Sequence, residues 1–138
     1  TYSVTDDYLA ENKDLLKAFL TAEIKGWSDV FSEPTDATVA LISKYYDKAA
    51  SENDEGLEAV FGALDPKKTG MGLEASKELI STDDTKANGL FTITPELQEQ
   101  TVASLAAAGW DLTVEDMFDT SIIDEIYADN PELKDYLS

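Results

Sequence analysis

Apolar residues return along this 138-residue chain at helical rather than strand spacing. The strongest segment runs from Asn12 to Phe31. At 100° per residue, Phe19, Val30, Leu16, Trp27, Leu20, Phe31 and Ile24 fall on one arc of about 140°, the stripe of a core-facing helix. Asn12 is placed to cap it, with Asp14 in the first turn. Pro34 opens a second helix reaching about Ala50, with the stripe Thr38, Leu41, Ile42, Tyr45 and Ala49. A third covers about Asp54 to Leu64 through Leu57, Val60, Phe61 and Leu64.

Further on, Asp65 to Gly72 (DPKKTGMG) reads as a loop and Leu73 to Ile80 as a short helix. Ser81 to Thr92 is polar, with the turn pair Asn88-Gly89. Thr94 caps a helix with Pro95 at its first position and Glu96 in its first turn. That helix ends at Gly109, and its stripe is Leu97, Thr101, Val102, Leu105 and Ala108. Val114 to Phe118, Ser121 to Tyr127 and Pro131 to Leu137 form three short helical pieces. Strand signals are confined to Thr1–Val4 and Leu90–Ile93. The expected fold class is mainly α, in one helical unit over residues 1–138, with at most one or two short strands.

Charge changes the picture. There are 29 Asp and Glu against 10 cations, all of them lysine, for a net charge of −19. Such a surface repels phosphate backbones and anionic membranes, so no nucleic-acid partner is expected. The chain has no Arg, His or Cys. It therefore lacks a bidentate anion fork, a thiolate nucleophile, a Ser-His pair and soft metal ligands. No enzyme, no catalytic residue, no metal and no cofactor is expected. No apolar run approaches the ~18 residues of a membrane span.

Four constellations invite a functional reading. Asp65-x-Lys67-x-Thr69-Gly70 has the opening of a calcium loop, but Lys67 sits where a ligand is needed and Ser76 where a bidentate carboxylate is needed. A helix-connecting loop is the plainer reading. Glu23 lies inside the apolar arc, either as a ligand-facing or interdomain acid or as a half-buried carboxylate held by a lysine or a helix N-terminus. Trp27, Trp110, Tyr45, Tyr46 and Phe61 offer a stacking platform, although aromatics at helical spacing more often form core. The pairs Asp6-Asp7, Asp83-Asp84 and Glu115-Asp116 read as first-turn or solvated carboxylates. An acid-rich hydrolase with a carboxylate dyad finds no pair preferred over the rest.

One stretch carries a family resemblance. Thr5-Asp6-Asp7-Tyr8-Leu9-Ala10-Glu11-Asn12-Lys13-Asp14-Leu15-Leu16-Lys17-Ala18-Phe19-Leu20, followed by Ala22, Gly26-Trp27 and Glu33-Pro34-Thr35-Asp36-Ala37, resembles the C-terminal part of ABC-importer solute-binding proteins. The branch is the one for nitrate, sulfonates such as taurine, and thiamine precursors. Val114 to Ile123 is similar to that family's last helices, whereas Lys13 replaces its usual proline. The resemblance implies a fragment of a two-lobed α/β periplasmic-binding-protein-like fold that closes on a small solute at its hinge. Residues 1–4 would end the hinge strand and 12–138 would be scaffold helices. Tyr2 and Ser3 would be the ligand-binding residues. The implied partners are a small organic or oxyanion-type solute and the transporter's membrane subunits, in an extracytoplasmic, lipid-anchored setting. Consistent with a processed chain or fragment, the sequence opens Thr1-Tyr2 with no signal-like segment. On its own such a fragment is expected to self-associate through uncovered apolar stripes. The alternative is a free-standing acidic helical interaction domain.

Overall fold

A computed structural model describes residues 2–52 and 62–137. The described chain is mainly helical and contains no strand. Among the described residues seven α-helices follow one another: α1 (Asp6–Ser32), α2 (Thr35–Glu52), α3 (Pro66–Ile80), α4 (Asp83–Asn88), α5 (Pro95–Ala107), α6 (Val114–Met117) and α7 (Ser121–Asp129). A 3-10 turn at Pro131–Lys134 comes last. The expected helix at Asp54–Leu64 falls for the most part outside the described residues. Its last positions are not helical, Gly62 having φ +75°.

The first helix is longer than the stripe predicts. Thr5 caps it, its hydroxyl accepting from the Tyr8 amide at 3.2 Å, and Asp6 and Asp7 occupy the first turn, where the helix dipole favours anions. Asn12 is not a cap but a kink inside the helix, at φ −127° and ψ 24°, with its side-chain amide donating to the Tyr8 carbonyl at 3.0 Å. A side chain that bonds the backbone locally competes with the helix at its own position.

The expected loop at Asp65–Gly72 is instead the first half of α3. Asp65 accepts from the amides of Lys67 and Lys68, and Pro66 stands at the first helical position. This is the same device that starts α5, where Thr94 accepts from Leu97 ahead of Pro95. Gly70 and Gly72 each weaken a helix by about 1 kcal/mol relative to alanine, too little to undo a good cap joined to an apolar stripe. Strong caps also start α4 and α6, where Thr82–Thr85 and Thr113–Asp116 form reciprocal boxes.

Neither expected strand is present among the described residues. Residues 2–4 run without strand pairing. Leu90 and Phe91 form a turn, because Gly89 at φ +95° and Phe91 at φ +62° both leave the extended region.

The core lies between α1 and the C-terminal elements. Ile24 of α1 meets Ile122, Ile123, Ile126 and Tyr127 of α7, with Leu90 and Tyr136 closing the ends. Leu16, Leu20, Trp27 and Phe31 pack on this cluster as the α1 arc predicts, while Phe19 stays exposed. Across the same seam Lys13 reaches Glu125 at 2.5 Å, and Lys17 reaches Asp129 at 2.7 Å and Glu125 at 3.4 Å. Tyr127 donates its hydroxyl to the Leu90 carbonyl at 2.8 Å, and burial pushes its pKa up to about 12.

Elsewhere the helices pair without a shared core. Helices α2 and α3 run antiparallel, Thr35 bonding Glu74 at one end and Tyr46 donating to the Gly62 carbonyl at the other. The face of α2 turned to α3 carries Val39, so the predicted stripe is rotated and leaves Leu41 and Tyr45 exposed. Helices α5 and α6 pack on each other. The chain exposes 9647 Å², against about 7,100 Å² for a compact monomer of 15.1 kDa. Its apolar stripes do not all close on one another.

Two outcomes check this packing. A Cβ at residue 89 would lie 2.6 Å from Tyr127 ring and hydroxyl atoms, whereas one at Gly109, also at positive φ, meets nothing within 4 Å. Gly89→Ala is therefore expected to destabilise by about 3 kcal/mol or more, and Gly109→Ala by about 1 kcal/mol, in urea melts. Hydrogen bonds from Lys13 and then Lys17 lower the Glu125 pKa from 4.5. The stability they add is present above pH 4.5 and is lost as pH falls through the lowered value. A Lys13→Met/Lys17→Met variant should flatten that acid limb in thermal melts.

Candidate functional site

Two turns into α1 from the kink, Phe19 and Glu23 lie one helical turn apart, so both project toward the same side of the helix. The N-terminal segment folds back onto them. Tyr2 donates its hydroxyl to Glu23 Oε2 at 2.9 Å, and its ring meets Phe19 edge-on with centroids 5.1 Å apart. On the other side Phe91 lies 6.0 Å from Tyr2 at a 36° tilt. Phe91 is delivered there by the Gly89–Phe91 turn, which Tyr127 anchors through Leu90.

A left-handed φ at a bulky residue costs on the order of 1–2 kcal/mol. Phe91 can hold it because its neighbour Leu90 is buried in the core beneath. Three aromatic rings and one carboxylate thus meet, contributed by the N-terminal segment, α1 and the turn after α4. Ser3 is exposed beside them. Burial first, then the hydrogen bond to Glu23 and its negative charge, raise the Tyr2 pKa above 10.0. This arrangement can stack a flat group and can accept a hydrogen bond from a donor.

The structure brings Tyr2 and Glu23 together, which periodicity could not reveal. Glu23 is half-buried, and the partner it takes is a tyrosine hydroxyl rather than a lysine or a helix N-terminus. The proposed stacking platform is not assembled. Trp27 packs on Phe31, and Phe31 on Tyr136, at the core. Trp110 is exposed beyond α5, Tyr45 is exposed on α2, and Phe61 lies outside the described residues. Asp65 spends its carboxylate on capping α3, so no calcium loop exists there. The three acidic pairs all sit in first turns, of α1, α4 and α6. Among the described residues no group of three His, Cys, Asp or Glu is placed to hold a metal ion.

Concave surface is found elsewhere among the described residues. A cavity of about 400 Å³ lies between the start of α5 and α7, and its polar side chains are engaged within the protein. Thr92 donates to the Gly89 carbonyl, Asn88 to that of Asp84, and Asp124 accepts from Thr120. A groove of about 970 Å³ runs between α2 and α3 and is mainly apolar.

Compared with protein-family models, with curated proteins and with solved structures, the chain finds no match in any of the three.

If Glu23 holds Tyr2 as described, Glu23→Gln should move the Tyr2 ionisation back toward 10.0. The check is the difference between the two proteins' absorbance titrations at the tyrosinate band. No difference would mean that the Tyr2 hydroxyl points elsewhere.

Proposed function

We propose that this chain is a non-catalytic covering layer: the helical C-terminal part of the extracytoplasmic solute-binding component of an ABC importer. The observation that carries this reading is the uncovered apolar surface. Leu41, Tyr45, Leu79, Leu97 and Trp110 are each more than 40% exposed. Amphipathic helices that leave such faces open are suited to lie against a sheet supplied by another part of the protein. Tyr2 and Glu23, meeting beside Phe19 and Phe91, are then the groups of this chain nearest the solute. They would act by hinge closure, touching it only in the closed state and so shifting the open–closed balance. The transporter's membrane subunits would be the partners of the closed form.

The exposed Trp110 favours a second reading, a free-standing acidic helical interaction domain, because tryptophan is enriched where proteins dock.

The full product of the encoding gene separates the two. The importer reading expects about 180 further residues forming α/β lobes, by the usual size of a two-lobed protein. It also expects one solute among nitrate, taurine and a hydroxymethylpyrimidine to bind with 1:1 stoichiometry in calorimetry. Tyr2→Ala should weaken that binding about tenfold or more, equivalent to about 1.4 kcal/mol. A product without such lobes that binds none of these solutes overturns the reading in favour of the interaction domain.

A further inference from the structure

The electrostatics of the cluster around Tyr2 and Glu23 have one sign. Glu23 is half-buried, and its Oε2 accepts from the Tyr2 hydroxyl at 2.9 Å, a neutral donor that leaves the negative charge in place. Among the described residues no lysine pairs with it, whereas Glu125 and Asp129 at the α1–α7 seam are paired with Lys13 and Lys17. A carboxylate drawn partly out of water gains most from a counter-charge. It also keeps acceptor positions open beyond the one that Tyr2 takes.

The rings add to this field rather than offset it. An aromatic face is the negative side of a quadrupole, so it attracts cations and repels anions. Tyr2 and Phe19 are 54% and 43% exposed and meet edge-on, which leaves ring surface open beside the carboxylate. Phe91 backs Tyr2 with its centroid 6.0 Å away. The surrounding chain, at net −19 and without arginine, has no fork with which to hold an anion here.

We propose that this cluster receives an organic cation, a flat group bearing a positively charged N–H donor. The group lies on the open ring surface of Tyr2 and Phe19 and donates to Glu23. The inference deepens the importer reading and rests on it for taking this cation as the solute. It rules out a bare oxyanion as the part of the solute that meets this chain.

The test is a series of nearly one shape and three charges: benzamidinium, benzamide and benzoate. Each is titrated by calorimetry at neutral pH into the full product of the encoding gene. Benzamidinium should bind with 1:1 stoichiometry and about tenfold or more tightly than benzamide, with benzoate the weakest. Glu23→Gln keeps the shape of the side chain and should remove that preference while leaving benzamide binding in place. Glu99→Gln, at an exposed position on α5, should change nothing. An equal loss in Glu99→Gln would mean diffuse attraction to an acidic surface and overturns the inference, as does benzoate binding as tightly as benzamidinium. A product with α/β lobes that shows no preference for the cation overturns the inference and leaves the importer reading standing. The preference in a product without lobes overturns the importer reading and leaves the cation site.

Discussion

The hydrogen bond from the Tyr127 hydroxyl to the Leu90 carbonyl is the contact on which the geometry of this molecule turns. It joins the C-terminal helix to a turn 37 residues earlier and holds that turn in a shape its residues would not choose. Leu90 is thereby buried, and Phe91, at φ +62°, is turned toward Tyr2 while still packing on the core. Phe91 gives Tyr2 its second aromatic neighbour, and Tyr2 in turn engages Glu23. A buried phenol must find an acceptor, and the only way this one does so is by gripping a strained loop. The arrangement beside the middle of α1 therefore inherits its placement from the packing of α7.

Which features were legible in advance follows from how local their causes are. The α1 arc, the Thr94-Pro95 start and the Gly109 stop rest on neighbours within a turn or two, and the structure bears them out. The first-turn placement of the acidic pairs is local in the same sense. The same rule, applied to Asp65-Pro66, would have started α3 correctly. Gly70 and Gly72 lower the helix propensity there, and the cap at Asp65 together with the apolar stripe outweighs them. What periodicity could not reach is non-local: the rotation of α2 toward Val39, the turn at Leu90–Phe91, and the meeting of Tyr2 with Glu23. Each depends on a segment from another part of the chain, and no spacing rule encodes that.

Charge and packing work together in setting where this protein can touch others. Its lysines are few, and three roles absorb several of them. Lys13 and Lys17 staple α1 to α7, Lys134 lies over the Tyr127 ring, and five more neutralise α2 and α3. The rest of the surface is left strongly negative, which keeps molecules apart wherever no specific contact is built. Apolar area open to solvent is tolerable on such a chain because collisions between copies are mostly repulsive.

The break at Asn12 divides α1 into two mechanical parts. Residues 13–32 are bound along the core, whereas the turns before the kink touch it chiefly through Leu9. The axis of the helix changes direction there, where the Asn12 dihedrals leave the helical region. Tyr2 precedes the first part in sequence yet contacts the second. The Tyr2–Glu23 hydrogen bond thus ties the segment before the kink to the part of α1 that follows it.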